Sequence, residues 1–134
     1  MLQPDYCCAV IEDQRGWLLL QLRPAGARHA PDQLTCFGGR REPGEDADQC
    51  LRRELAEELG WAPPPAPTAC ALWQGEQLIA WFSRARFPGG SVVTEPGHVA
   101  LWAPWSALPG LPLSPWHRTV LTAIAKGRRR VDLG

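Results

Sequence analysis

One acidic segment restricts the fold of this chain more than any other. Seven of the 14 acidic residues fall between positions 42 and 58. Within that stretch Ala47, Leu51, Leu55 and Leu59 recur every four residues, the spacing of a single helical face. A helix over residues 46–59 is expected, with Gly60 to end it in the left-handed conformation common at helix C-termini. Such a helix needs an apolar partner on one side and an environment for carboxylates beside it. The chain must therefore build a sheet or second helix to cover the leucines and leave the acids a purpose or a solvated face.

The flanking sequence supplies the sheet. Residues 6–11 and 17–22 are apolar runs joined by Asp13-Gln14-Arg15-Gly16, which has turn chemistry, and they are expected to form a hairpin. Residues 34–37 read as a short strand that stops at Gly38-Gly39. Two more strands, 69–73 and 77–87, surround a Gln74-Gly75-Glu76 turn, and a short one follows at 99–102. Ser114-Pro115 places a cap and a first-position proline before a second helix over 116–126. Pro63-Pro64-Pro65-Ala66-Pro67 is expected to run as a stiff extended connector, and residues 128–134, opened by three arginines, as a tail. The expected architecture is one mixed α/β domain over residues 1–134.

Composition narrows the function. The 14 basic and 14 acidic residues cancel, which argues against a nucleic-acid polymer or an anionic membrane surface as partner. No apolar run approaches the roughly 18 residues of a membrane-spanning helix, and residues 1–5 lack the pattern of a signal peptide. Five cysteines, an odd number with no C-x-x-C spacing, fit reduced thiols in a cytoplasmic protein better than disulfides or structural zinc.

On the first helix, at about 100° per residue, Glu54, Glu57 and Glu58 share an arc of about 100° that borders the leucine stripe. Carboxylates at the edge of a core repel one another and resist ionisation. Two arrangements relieve that conflict: a solvated acidic face paired with Arg52 and Arg53, or a bound divalent cation. Oxygen-only ligands suit a hard ion such as Mg²⁺ or Mn²⁺. Upstream, Gly38-Gly39 allows close backbone approach and could bring a main-chain carbonyl to the carboxylates.

Taken together, the segment reads Gly39, five residues, Glu45, seven residues, then Arg53-Glu54-Leu55-Ala56-Glu57-Glu58-Leu59-Gly60-Trp61. It resembles the Nudix box, the signature of the Nudix hydrolases, over residues 39–61. Trp61 alone departs from the pattern, standing where an aliphatic residue is usual. The resemblance implies an α/β/α sandwich with a mixed β-sheet. It also implies metal-dependent hydrolysis of a nucleoside diphosphate linked to another group. By the same resemblance Glu57 and Glu58 are the main metal ligands, Glu54 a further ligand or the general base, and Gly39 a carbonyl donor. Arg53 would orient the glutamates, and Glu45 would hold the loop or reach the metal through water. Some family members take their base from a later loop, where Glu95 is the candidate here.

Weaker signals concern the substrate. Arg23 ends the second strand within reach of a phosphate, and His29 and His98 lie in loops. Trp73 and Trp81, on the strands after the helix, are candidate stacking surfaces for a base. Gln77 and Leu78 stand where the ADP-ribose and dinucleoside polyphosphate branches carry proline and tyrosine. The remaining expectation is a nucleoside triphosphate or modified nucleotide. The alternatives are a catalytically silent nucleotide sensor and a diphosphatase for sugar nucleotides or ADP-ribose. Zero net charge disfavours an RNA cap hydrolase. The resemblance leaves a homodimer open.

Overall fold

The apolar run near the N-terminus becomes the strand on which the rest is assembled. A computed structural model describes residues 2–64 and 68–134. Its elements are β1 (Tyr6–Glu12), β2 (Leu18–Leu22), β3 (Leu34–Thr35), β4 (Phe37–Arg40), α1 (Ala47–Leu59), β5 (Thr68–Gln74), β6 (Gln77–Arg86), β7 (Val99–Ala103), a 3₁₀ turn (Trp105–Gly110), α2 (Pro115–Ala125) and β8 (Arg130–Asp132). The eight strands form one mixed sheet in the order β3-β2-β1-β6-β5-β8, with β4 paired to β1 and β7 to β2. The β1–β6 and β5–β8 pairs are parallel; the other strand pairs are antiparallel.

Alternation along β1 divides the core. Cys7, Ala9 and Ile11 pack with Leu51, Leu55 and Leu59 of α1. Cys8 and Val10 face the other way, with Phe82, Val120, Leu121 and Ile124. Successive strand side chains point to opposite faces, so one strand serves both helices. The result is a mixed sheet between two helices, as the sequence led us to expect. All five cysteines are buried and free. No helix among the described residues is long and apolar enough to cross a membrane.

Two readings change. The strand near residue 34 does not stop at the glycines. It breaks at Cys36, and β4 then runs through Gly38 and Gly39, which sit opposite Cys8 and Cys7 of β1. A Cβ on Gly38 would lie 2.1 Å from the Cys7 carbonyl oxygen, so glycine here permits close backbone approach within the sheet rather than a break. The 128–134 tail is also corrected. Residues 130–132 pair with β5, Val131 and Leu133 pack on the core, and Arg130 lies 4.6 Å over the Trp73 ring. Apolar residues at 131 and 133 alternate with polar ones, a strand pattern masked by the three arginines before it. The 3₁₀ turn had no sequence counterpart. The connector expected at 63–67 lies in part outside the described residues.

Candidate active site

Local chemistry sets the position of α1. Asp46 caps it by accepting the Gln49 N–H at 2.8 Å, and the Gln49 side chain accepts the Asp46 N–H at 2.9 Å. This reciprocal pair satisfies two backbone donors that the first turn leaves open. Gly60 closes the other end with φ of 63°. Between these stops the leucine face docks on β1 and β4, which places Glu54 and Glu58 over the glycine strand. Trp61, the departure from the box pattern, stacks edge-on against Phe87 at 5.5 Å and joins the same core, so local packing survives the change.

Glu54 is held against Gly39. A Cβ on that glycine would fall 2.3 Å from the Glu54 carboxyl carbon. The Gly39 carbonyl receives the Cys50 thiol at 3.7 Å, a weak contact. Glu58 is more enclosed, and its Oε1 is buried with no hydrogen-bond partner. Burial first, and the Glu54 charge second, push its carboxyl up to about 8, while the Gly38 N–H pulls the other way. Glu57 is the most exposed of the three.

Arg53 organises the cluster. Its Nε donates to Glu45 at 2.6 Å and its Nη2 to the other oxygen of Glu45 at 3.0 Å, a two-pronged pairing. Nη1 donates to Glu54 at 2.9 Å and lies 3.6 Å from Glu57. Nη2 also reaches the Arg40 carbonyl at 3.1 Å, tying the helix to the end of β4. Arg53, with help from the Glu42 N–H, holds the Glu45 carboxyl down at about 2. Lysine offers one point charge in place of this planar fork. We expect Arg53→Lys to lower kcat about tenfold or more with little change in KM, measured by steady-state kinetics, because Glu54 would lose its fixed orientation. An unchanged kcat would remove Arg53 from the site.

The residues present fit a hard divalent cation. A buried carboxylate oxygen lacks any partner, the donors are all oxygen, and the cradle at Gly39 would be filled by a Cβ. Among the described residues, no three acidic, histidine or cysteine side chains converge into a finished ion cage. Arg53 supplies the positive charge that the cluster shows.

A cavity of about 560 Å³ opens on the α2 side of the sheet and reaches Gly38 and Gly39. Arg23 and His29 line it, and Arg23 Nε donates to the His29 carbonyl at 3.2 Å. Trp73 and Trp81 do not line it. Trp81 lies between Ala80 and Phe82, which face the cavity, so alternation turns it to the α1 side. Trp73 is covered instead by Arg130. Glu95 sits in an exposed turn, and its charge contributes to the upward shift of Glu58. His98 is in that same turn, its N–H donating to the Glu95 carbonyl, and is not on the cavity wall. Sequence reasoning missed Tyr6, Gln21, Thr35, Trp116 and His117, all of which line the cavity. The Ser114-Pro115 signal located the start of α2. It could not show that Leu34 and Leu113 would bridge and bring that start beside β3.

A sequence model of the NUDIX domain matches residues 1–124. The chain belongs to the Nudix family. Its Nudix relatives include the NAD-capped RNA hydrolase NudC of Stutzerimonas stutzeri strain A1501, 35% identical over 98 residues. That match covers 71% of this chain and 34% of the relative. Nucleoside triphosphatase NudI of Enterobacter sp. strain 638 is 39% identical over 61 residues, 45% of this chain and 42% of that one. The chain thus spans about a third of the length of the NudC relatives it matches. Among solved Nudix folds, the MutT protein from Methanosarcina mazei Go1 superposes with a TM-score of 0.80 at 20% identity, covering 94% of this chain and 96% of that one. At that identity the likeness shows the fold.

Proposed function

We propose that this Nudix chain is a divalent-cation-dependent hydrolase of the diphosphate linkage in nucleotide derivatives, with nucleoside triphosphates or modified nucleotides as first candidates. One observation carries the reading: Glu54 lies against Gly39, and Gly38 and Gly39 also line a cavity of about 560 Å³, large enough for a nucleoside. Glu57 and Glu58, with Glu54 and the Gly39 carbonyl, would hold the cation, with Mg²⁺ or Mn²⁺ the expected ion. When bound, a divalent cation neutralises phosphate oxygens and acidifies water.

The chain's own groups complete the proposal. The nucleoside enters the cavity and its phosphates extend over Gly38-Gly39 toward α1. Arg23, on the cavity wall, is placed to bind a phosphate oxygen. Glu54, oriented by Arg53, takes the proton of the attacking water, or Glu95 does so from its loop. Water's oxygen bonds to one phosphorus, the bridging P–O bond breaks, and two phosphate-bearing fragments leave.

A second reading, an NAD moiety as the group cleaved, is supported by the likeness to the NudC relatives, which are NAD-capped RNA hydrolases, and free NAD is the small-molecule probe for it. A panel decides between them: nucleoside triphosphates, oxidised dGTP, NAD, ADP-ribose, sugar nucleotides and dinucleoside polyphosphates, each with Mg²⁺ or Mn²⁺. Phosphate, pyrophosphate and nucleoside monophosphate release is measured. Fastest turnover of a triphosphate supports the first reading, and fastest turnover of NAD the second. Binding without turnover of any compound would favour a silent sensor.

A further inference from the structure

The start of α2 is left open toward the cavity. Ser114 stands at its N-cap, yet the serine side chain makes no capping hydrogen bond. Pro115 has no N–H, and among the described residues the Trp116 and His117 N–H groups have no partner. A buried helix start without a cap leaves donors unsatisfied unless a ligand meets them.

The Ser114 side chain points to a ligand independently. The residue is only 5% exposed, and it lines the cavity. Its hydroxyl has no hydrogen-bond partner among the described residues. Thr35 Oγ1 and Glu58 Oε1 are sealed as well as unpartnered, whereas the Ser114 hydroxyl is reached from the cavity. It is a free donor on the wall. Buried hydroxyls are normally paired.

Hydrogen bonds fix this corner. The Ser114 N–H donates to the Leu34 carbonyl at 3.0 Å, and the Leu34 N–H to the Pro112 carbonyl at 2.8 Å. The Cys36 N–H donates to His117 Nδ1 at 3.0 Å. The first turn of α2 is thus stapled to residues 34–36. Positive potential collects there. Burial first, and the Arg23 charge second, push the His117 imidazole down to about 4, so the field of Arg23 reaches this turn. The helix dipole adds to it. Among the described residues, no Asp or Glu lines the cavity.

Free donors at a helix start, a nearby guanidinium and no carboxylate suit a phosphate. The diphosphate of the proposed reaction lies elsewhere, over Gly38-Gly39 toward α1. In a nucleoside the sugar hydroxyls are the groups that carry further phosphate esters. We propose that the α2 start is a second phosphate subsite, and that the preferred substrates carry a phosphate monoester on the sugar besides the diphosphate linkage. This rests on the cavity's being the nucleoside site.

The test is calorimetric binding to the metal-free full chain of AMP, adenosine 2′,5′-bisphosphate, adenosine 3′,5′-bisphosphate and, separately, inorganic phosphate. We expect one bisphosphate to bind about tenfold or more tightly than AMP. Ser114→Ala should reduce that ratio to about threefold or less at an unchanged melting temperature, because the hydroxyl caps nothing; a merely structural N-cap would lose stability. Ser114→Asp brings its own carboxylate to the helix start. It should raise the melting temperature and remove the preference. Bisphosphates no tighter than AMP, no binding of any of the three nucleotides, or a ratio that survives both variants would overturn the proposal. Ser114-dependent binding of inorganic phosphate with no gain for the bisphosphates would make the corner a free-phosphate site and overturn it too. A chain that prefers a bisphosphate yet hydrolyses nothing would keep this proposal and sink the hydrolase reading; hydrolysis without that preference would do the reverse.

Discussion

Glu58→Gln is expected to lower turnover of the preferred nucleotide by at least about 100-fold and, in metal-free protein at pH 8, to raise the melting temperature. The two effects have one cause. Glu58 is an enclosed carboxylate with an unpartnered oxygen, next to the Glu54 carboxylate. Its proton is held to about pH 8 in the folded chain, against 4.5 as the ordinary value. Between those limits the folded state binds more protons than the unfolded state, so stability falls as pH rises through the window. Glutamine carries no charge and removes that slope. Melting curves in EDTA at pH 5 and pH 8 check this: wild type should lose more stability than the variant over the interval. Equal losses would show that Glu58 is not strained by its surroundings. A stability gain accompanied by lost activity is the pattern of a residue kept for function.

Gly38→Ala is expected to destabilise the fold by about 3 kcal/mol or more, lowering the melting temperature by roughly 10 °C. The φ of Gly38 is +145°, and a Cβ there would stand 2.1 Å from the Cys7 carbonyl oxygen and 2.7 Å from the Cys8 Cα. Both are backbone atoms of the central strand, so relief requires β1 and β4 to separate. Gly39→Ala gives the contrast. Its Cβ would meet the end of a flexible side chain, Glu54, which can swing away. That variant should fold and lose activity. Gly26→Ala, with nothing within 4 Å, is the control and should change stability by less than about 1 kcal/mol. Calorimetric melting of the three variants separates these outcomes. Similar melting temperatures for Gly38→Ala and Gly26→Ala would contradict the close packing of β4 on β1.

The contrast between neighbouring glycines also shows what a sequence can carry. The first helix was legible because its determinants are local: the four-residue leucine period, Asp46 and Gln49 at one end, Gly60 at the other. The candidate ligands were legible for the same reason, since Glu54, Glu57 and Glu58 share one helix and Gly39 and Glu45 lie just upstream. Gly38 and Gly39 were read as a break because their role depends on Cys7 and Cys8, some 30 residues away. The cavity wall was invisible for a stronger version of that reason. Cys36 and His117 meet across a separation of 81 residues, and only the sheet order brings them together. Trp81 was chosen for its ring, but its side of β6 depends on strand parity relative to a cavity not yet located. Strand β8 was hidden by composition: its arginines resemble a solvated terminus, although Val131 and Leu133 alternate toward the core.

The most direct test of the central claim, that the α1 carboxylates support divalent-cation-dependent nucleotide hydrolysis, is a Mg²⁺ and Mn²⁺ titration of turnover. It should be run on wild type and on Glu57→Gln, a solvent-facing change that should leave the fold intact. We expect saturable dependence on the cation, no turnover in EDTA, and a loss of at least about 100-fold in the variant at equal melting temperature. Turnover that persists in EDTA, or that survives intact in both Glu57→Gln and Glu58→Gln, would contradict it.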